Sequence, residues 1–272
     1  MAAEMAVRYA IFVTGGASGI GRAVAQHFAG RGWFVGIADI DERMMAEAKA
    51  TLPEGSVSTH RLDVRERAAW DTALTAFAEA AGGTVHVVAN NAGVPLGGAL
   101  EENSTAEIER CLDINLKGAI FGAQASLPFL RQAAPDACLL NTASAAGIYG
   151  TSGASVYSAT KFGVRALTES LDAEWQEHGI RVRSLMPAFI DTPLLAHTPN
   201  ARSNEAIRDR VRAAGLEITP VEEVAKAAWE AVHGERLHTL VGATAKRLAF
   251  GARWMPGRLR REAARTARAM GE

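Results

Sequence analysis

The strongest constraint on this chain is a rhythm. Short apolar runs rich in β-branched residues alternate with longer segments of helical period almost from end to end. Strand candidates fall at 8–13, 33–38, 57–62, 85–89, 136–142, 180–186 and 237–241, and helical periodicity covers 19–31, 41–50, 65–82, 104–133, 156–178 and 220–233. Repeated strand–helix units of this kind wind helices over both faces of a parallel sheet. The pattern predicts an α/β fold with a doubly wound, seven-stranded parallel sheet. Ligands of such sheets bind beyond the carboxyl ends of the strands, so the residues just after each strand carry the functional reading.

No linker, internal repeat or low-complexity tract divides the chain, which predicts one oxidoreductase-sized domain over 1–245 and an extension over 246–272. Within the domain, 191–219 is polar and irregular around Pro193 and Pro199, with a short helix expected at 203–213. An excursion that long is usually functional, and it reads as an active-site lid. At 48% hydrophobic and 22% charged residues, the composition is that of a soluble globular enzyme rather than a disordered or membrane chain. The N-terminal stretch lacks the pattern of a signal peptide and no run is long enough to span a bilayer, so a cytoplasmic location is expected. Cys111 and Cys138 lie in apolar surroundings without metal-ligand spacing, which predicts buried thiols and no metal site. The net charge of −1 hides an asymmetry, because 246–272 holds eight Lys/Arg against Glu262 and Glu272. Such a basic helical tail is more often a solvated or subunit-packing face than a membrane contact, although Leu248, Phe250, Trp254, Met255 and Leu259 among the arginines keep peripheral membrane contact open. Pro256-Gly257 should break that helix. No motif or stacking platform for nucleic acid is present, and none is expected as a partner.

The first strand candidate runs into Thr14-Gly15-Gly16-Ala17-Ser18-Gly19-Ile20-Gly21 and then a helix. Glycines there let backbone approach a pyrophosphate, and helix N-terminal amides favour anions, so the turn reads as dinucleotide-binding. Asp39 ends the second strand, where a carboxylate accepts hydrogen bonds from the ribose hydroxyls of an adenosine and repels a 2′-phosphate. NAD is therefore expected over NADP. Tyr157 and Lys161 stand one helical turn apart on one face. Ser144 follows the fifth strand and Asn115 sits in the helical stretch after the fourth. Taken singly, each of these residues is more often structural than chemical.

Together, Thr14–Gly21, Asn90-Asn91-Ala92-Gly93, Asn115, Ser144, Tyr157-Ser158-Ala159-Thr160-Lys161 and Pro187–Thr192 resemble the short-chain dehydrogenase/reductase family in its form of about 250 residues, with the motifs in family order. The resemblance implies a Rossmann-like fold and an NAD-dependent oxidoreductase acting on a CH–OH group. It implies that Gly15, Ser18, Gly19, Ile20 and Gly21 hold the diphosphate, Asp39 the ribose, and Asp63 with Val64 the adenine. Asn90 and Gly93 would line the cofactor, Ile190 and Thr192 would meet the carboxamide, and Asn115, Ser144, Tyr157 and Lys161 would form a catalytic tetrad. In that scheme Tyr157 is the acid/base, its pKa brought down by the Lys161 ammonium and the oxidised nicotinamide. Ser144 donates to the substrate oxygen, and Asn115 holds a water in a proton relay.

One departure stands out. The family commonly has Pro-Gly after the sixth strand, whereas this chain has Pro187-Ala188, which is expected to alter the freedom of that loop. Around the expected pocket lie Ala146, Ile148, Tyr149, Val156, Phe189, Leu194 and Leu195. The set predicts an apolar or aromatic secondary alcohol or its ketone. A homodimer or homotetramer is expected on the resemblance. A non-catalytic NAD-binding redox sensor on the same fold is the alternative, against which an intact tetrad argues.

Overall fold

The computed structural model describes residues 8–271, so the first seven residues and Glu272, with the side chains of 266–271 including Arg268, lie outside the described part. The strands come in chain order as β1 (Ala10–Thr14), β2 (Phe34–Asp39), β3 (Val57–Arg61), β4 (Val87–Asn90), β5 (Cys138–Thr142) and β6 (Arg181–Pro187). Between them run α1 (Gly19–Ala29), α2 (Glu42–Lys49), α3 (Arg67–Ala81), α4 (Thr105–Leu112), α5 (Gly118–Ala133) and α6 (Ser155–Trp175). After β6 come β7 (Phe189–Ile190), α7 (Ile207–Ala213), β8 (Ile218–Thr219), α8 (Val221–His233), β9 (His238–Val241), α9 (Ala243–Trp254) and α10 (Pro256–Gly271). Seven strands pair in the order β3-β2-β1-β4-β5-β6-β9, all parallel. The expected doubly wound sheet is present, and its strand order reverses between β1 and β4.

The two faces of β1 show why the sheet is buried on both sides. Ile11 and Val13 join Val35, Ile37, Val87 and Leu140 beneath Val24 and Phe28 of α1 and Val224 and Ala228 of α8. Ala10 and Phe12 join Phe34, Val88 and Leu139 beneath Trp70, Leu74 and Phe77 of α3 and Leu130 of α5. Successive residues point to opposite faces, so a strand covered on both sides must be apolar throughout. Cys111 and Cys138 are both buried and free.

Three details depart from the periodicity. The helix expected over 104–133 is interrupted by a π-turn at Asp113–Lys117, which separates α4 from α5. A π-turn leaves the apolar period almost unchanged, so it carries no sequence signal of its own, and such turns concentrate at functional sites. The excursion after β6 is closed at its base by a two-stranded parallel pair, Phe189↔Ile218 and Ile190↔Thr219, whose strands are too short to show any alternation. Its helix α7 starts at Ile207, later than the expected 203. The tail folds as α9 and α10, broken at Met255 before Pro256, where proline has no N–H to continue the first helix.

Candidate active site

The register of the central strands aligns their carboxyl ends. Val13 stands opposite Ala89, and Asn90 opposite Asn141. The residues that follow β1, β4 and β5 therefore share one rim.

At the end of β1 the chain enters the glycine turn, where Gly15 and Gly19 have φ of 62° and 50°. A Cβ on Gly21 would stand 2.2 Å from the Gly15 carbonyl oxygen, and one on Gly19 would stand 3.3 Å from Thr192. Only glycines let these segments close on one another. Ser18 is the N-cap of α1 but makes no side-chain cap hydrogen bond, leaving first-turn amides for an anion. This glycine-floored cradle at a helix N-terminus fits the diphosphate of a dinucleotide.

Asp39, at the end of β2, accepts from the amides of Ala17 (3.2 Å), Ile40 (2.8 Å) and Asp41 (3.3 Å). Its carboxylate is thus fixed beside the glycine turn by backbone alone. Asp63 is held differently. Arg65 engages it through Nε (2.9 Å) and Nη2 (2.6 Å), and these hydrogen bonds with the guanidinium charge hold its carboxyl below the usual range. Its neighbour Val64 is buried, with its carbonyl accepting from the Trp70 indole at 3.1 Å.

A half-buried chain of hydrogen bonds crosses the rim. Thr14 Oγ1 accepts from the amides of Asn91 (3.0 Å) and Ala92 (3.1 Å), and Asn91 Nδ2 donates to the Thr14 carbonyl at 3.0 Å. Thr142 Oγ1 donates to Asn91 Oδ1 at 3.2 Å, and Lys161 Nζ donates to the Thr142 carbonyl at 2.9 Å. Sequence reasoning missed Asn91 and Thr142 as members of this system. The available signal was position, since each sits at or just beyond a strand's carboxyl end. Asn90 turns the other way, donating to Ala119 O and Asn141 Oδ1, both at 3.0 Å. Its side chain braces α5 and β5 beneath the crevice. Gly93 faces the rim, and a Cβ there would lie 3.3 Å from Asn115 Oδ1 and 3.6 Å from Lys161 Nζ.

Asn115 occupies the π-turn. Its Oδ1 accepts from Val94 N at 2.8 Å and its Nδ2 donates to Val94 O at 2.9 Å, so the side chain clamps the loop after β4 as a neighbouring strand would. Tyr157 lies in the first turn of α6, and Lys161 follows one turn later with Nζ 5.7 Å from the phenol ring centre. Ser144 caps the short 3₁₀ turn Ala145–Gly147, accepting from Ala146 N at 3.2 Å, and its hydroxyl is within hydrogen-bond reach of the phenol.

Burial dominates the electrostatics of this cluster. It pushes the Tyr157 phenol up to about 12, against the opposing Ser144 hydrogen bond, and pushes Lys161 down to about 8. The expected lowering of the Tyr157 pKa by Lys161 is therefore not a property of the chain by itself. The ammonium is turned to the Thr142 carbonyl, and desolvation raises the phenol more than its neighbours lower it.

Ile190 and Thr192 are buried on the far wall, Ile190 at the base of the excursion and Thr192 packed over Gly19. Of the apolar residues expected around a substrate, Leu195 is buried in the turn Pro193–Ala196, while Ile148 belongs to a small core with Ala143, Val164 and Met186. The Ala188 departure is benign. No described non-glycine residue has a positive φ, and the Ala188 amide donates to Val241 O at 3.2 Å.

A parallel sheet of this order, with a glycine cradle and a Ser–Tyr–Lys cluster on its carboxyl rim, defines an oxidoreductase of the nicotinamide-dinucleotide type working on alcohol and carbonyl groups. The comparisons agree. The short chain dehydrogenase family model matches residues 9–203. The 2,5-dichloro-2,5-cyclohexadiene-1,4-diol dehydrogenase of Sphingobium indicum is 34% identical over 203 residues, covering 73% of this chain and 79% of that protein. The 3-alpha-(or 20-beta)-hydroxysteroid dehydrogenase of Mycobacterium bovis is 36% identical over 191 residues, covering 69% and 71%. A short-chain dehydrogenase/reductase of Burkholderia phymatum, solved in complex with NAD, superposes with a TM-score of 0.80 at 27% identity over 94% of this chain and 95% of that one. The chain belongs to the short-chain dehydrogenase family.

Proposed function

We propose that this protein interconverts a secondary alcohol and its ketone with NAD, on an apolar or aromatic substrate, with Tyr157 as the acid/base. The observation that carries this reading is the gathering of Ser144, Tyr157, Lys161 and Asn115 around the rim that the glycine cradle opens onto. Gly15, Ser18, Gly19, Ile20 and Gly21 would hold the diphosphate. Asp39 would hold the adenosine ribose, Asp63 and Val64 the adenine, and Ile190 and Thr192 the carboxamide, with Gly93 lining the site and Asn90 supporting it from below. When bound, the dinucleotide supplies a hydride acceptor or donor at the nicotinamide C4.

In oxidation the Tyr157 oxygen takes the proton of the substrate hydroxyl, and in reduction it returns it. A phenol pushed up to about 12 is a reluctant base, so its deprotonation depends on positive charge brought alongside it. Lys161 supplies one such charge from the same helix face, and would also hydrogen-bond the nicotinamide ribose. Ser144 donates to the substrate oxygen and stabilises the charge that develops there. Asn115 keeps the Gly93–Val94 loop in place and would position a relay water.

The NAD preference rests on Asp39, whose carboxylate is held by three amides where a 2′-phosphate would have to sit. Relatives named for a chlorinated cyclohexadienediol and for hydroxysteroids support the apolar substrate. Residues 1–245 would form the oxidoreductase domain, with 191–219 as its lid and 246–272 as an extension. Half-exposed Leu112, Ile120 and Phe162 on α4, α5 and α6 support a homo-oligomer through that side. A cytoplasmic location remains part of the proposal.

The test is NADH formation by the purified protein on a panel of apolar and aryl secondary alcohols, with NADP in parallel and Tyr157→Phe as the control. Turnover with NAD that falls at least about a hundredfold in the variant is expected. Turnover with NADP alone would overturn the cofactor assignment, and equal turnover by the variant would overturn the role of Tyr157.

A further inference from the structure

Helices α9 and α10 carry a surface that the chemistry above does not use. Phe250 and Trp254 lie one turn apart on α9 and are 59% and 65% exposed, with Met255 beside them at 38%. Around them Lys246, Arg247, Arg253, Arg258, Arg260, Arg261 and Arg265 are all exposed. The one acid among residues 246–265 is Glu262, which is paired with Arg258 at 2.8 Å. Leu259 of α10 is already spent on packing, since a Cβ on Gly251 of α9 would meet it at 3.1 Å. Aromatic side chains left exposed in a field of cations have the composition of an interfacial helix, in which rings enter the headgroup region and cations meet lipid phosphates. No described helix is long and apolar enough to cross a membrane.

We propose that α9 and α10 dock the protein on an anionic phospholipid surface. Charge complementarity selects this occupant. The 246–272 segment carries a net excess of six positive charges while the whole chain is −1, so the body of the molecule is acidic. An anionic bilayer therefore attracts one side of the protein and repels the rest, which sets its orientation. The position of α9 gives the orientation a use. It packs against the Ala145–Gly147 turn that follows Ser144, which brings the substrate side of the rim to within about one helix diameter of the surface. That consequence rests on the proposed apolar substrate; the docking does not.

The test uses the full-length protein and sedimentation with vesicles of phosphatidylcholine alone or with about one third phosphatidylglycerol. Binding to the anionic vesicles only, released by salt, is expected. Three neutralised cations in Arg258→Gln, Arg260→Gln, Arg261→Gln should weaken it about a hundredfold, at about fivefold each. Phe250→Ser with Trp254→Ser should weaken it at least about tenfold while leaving the circular dichroism spectrum unchanged. Failure of the wild type to sediment, or equal sedimentation of both variants, would overturn the proposal. So would a concentration-dependent oligomer, seen by light scattering and abolished by the same substitutions without vesicle binding, since the face would then cover a second copy. Turnover of a water-soluble alcohol is followed in parallel and should be the same in wild type and variants. Vesicle binding without any turnover would refute the dehydrogenase reading and leave the docking face standing.

Discussion

Asn115 offers the sharpest test of how the rim is held. Its amide makes two hydrogen bonds to one residue, accepting from Val94 N at 2.8 Å and donating to Val94 O at 2.9 Å, and Asn115 itself is buried. Asn115→Ala removes both and leaves two backbone groups of Val94 without partners. A hydrogen bond of this kind contributes about 1 kcal/mol net, and a group left dry costs more than one that water can reach. Val94 is half-buried, so water compensates part of the loss and the sum comes to about 2 kcal/mol. For a chain of this size that lowers Tm by about 4–8 °C.

Asn115→Asp keeps the acceptor for Val94 N but sets a second carboxylate oxygen against Val94 O, so it should destabilise more at neutral pH and partly recover in acid. The assay is urea unfolding of the wild type and both variants at two pH values, with kcat measured on the same samples. A change below about 0.5 kcal/mol in Asn115→Ala, combined with a large fall in kcat, would refute the clamp and leave the amide a purely chemical role.

Three further outcomes are expected. Lys161 has a folded pKa of about 8 against 10.5 for the free group, so between those values the unfolded chain binds more protons and stability rises with pH. Below 8 the full penalty of burying the ammonium is present, and Lys161→Met should raise the unfolding free energy at pH 7 by up to about 3 kcal/mol and flatten the rise towards pH 10; identical urea midpoints at both pH values would count against it. Gly21→Ala, whose Cβ would stand 2.2 Å from the Gly15 oxygen, should abolish calorimetric binding of NADH, whereas Gly32→Ala, with nothing within 4 Å but a φ of +82°, should cost only about 1 kcal/mol of stability and leave binding intact. Asp39→Asn removes the charge beside the cradle and should improve the KM for NADP relative to NAD by at least about tenfold, and an unchanged ratio would show that another group sets the preference.

The fold was legible because its information is carried by runs longer than the uncertainty of their ends. Every strand of the large sheet lies within two residues of its expected position, as β1 at Ala10–Thr14 and β6 at Arg181–Pro187 show. What escaped was local. The π-turn at Asp113–Lys117 costs the amphipathic pattern nothing, and the pair of β7 with β8 joins residues 29 positions apart through only two residues a side. The residues of the candidate site were legible as a set rather than singly, because Tyr157 and Lys161 share a helix face while Ser144 and Asn115 are brought to them only by the topology of the sheet. The ionisation of Tyr157 was not legible. Spacing shows that a lysine is near, but it cannot show that the ammonium turns to the Thr142 carbonyl or that burial pushes the phenol up.

Three residues that the sequence reading gave no role of their own explain why the rim works as one object. Thr14, Asn91 and Thr142 end or follow β1, β4 and β5, strands whose register brings Val13 level with Ala89 and Asn90 level with Asn141. Because the strands are parallel and in step, their last side chains meet, and the hydrogen bonds from Thr14 through Asn91 to Thr142 and Lys161 follow from that alignment. The cradle for the dinucleotide and the lysine beneath the phenol are thus tied by three residues, Thr14, Asn91 and Thr142. A change that slips one strand by a single residue would turn these side chains to the opposite face and break the chain of bonds. The positions of Asn91 and Thr142 are therefore set by the sheet itself, with Asn91 reaching the cradle through its side chain and Thr142 reaching Lys161 through its carbonyl.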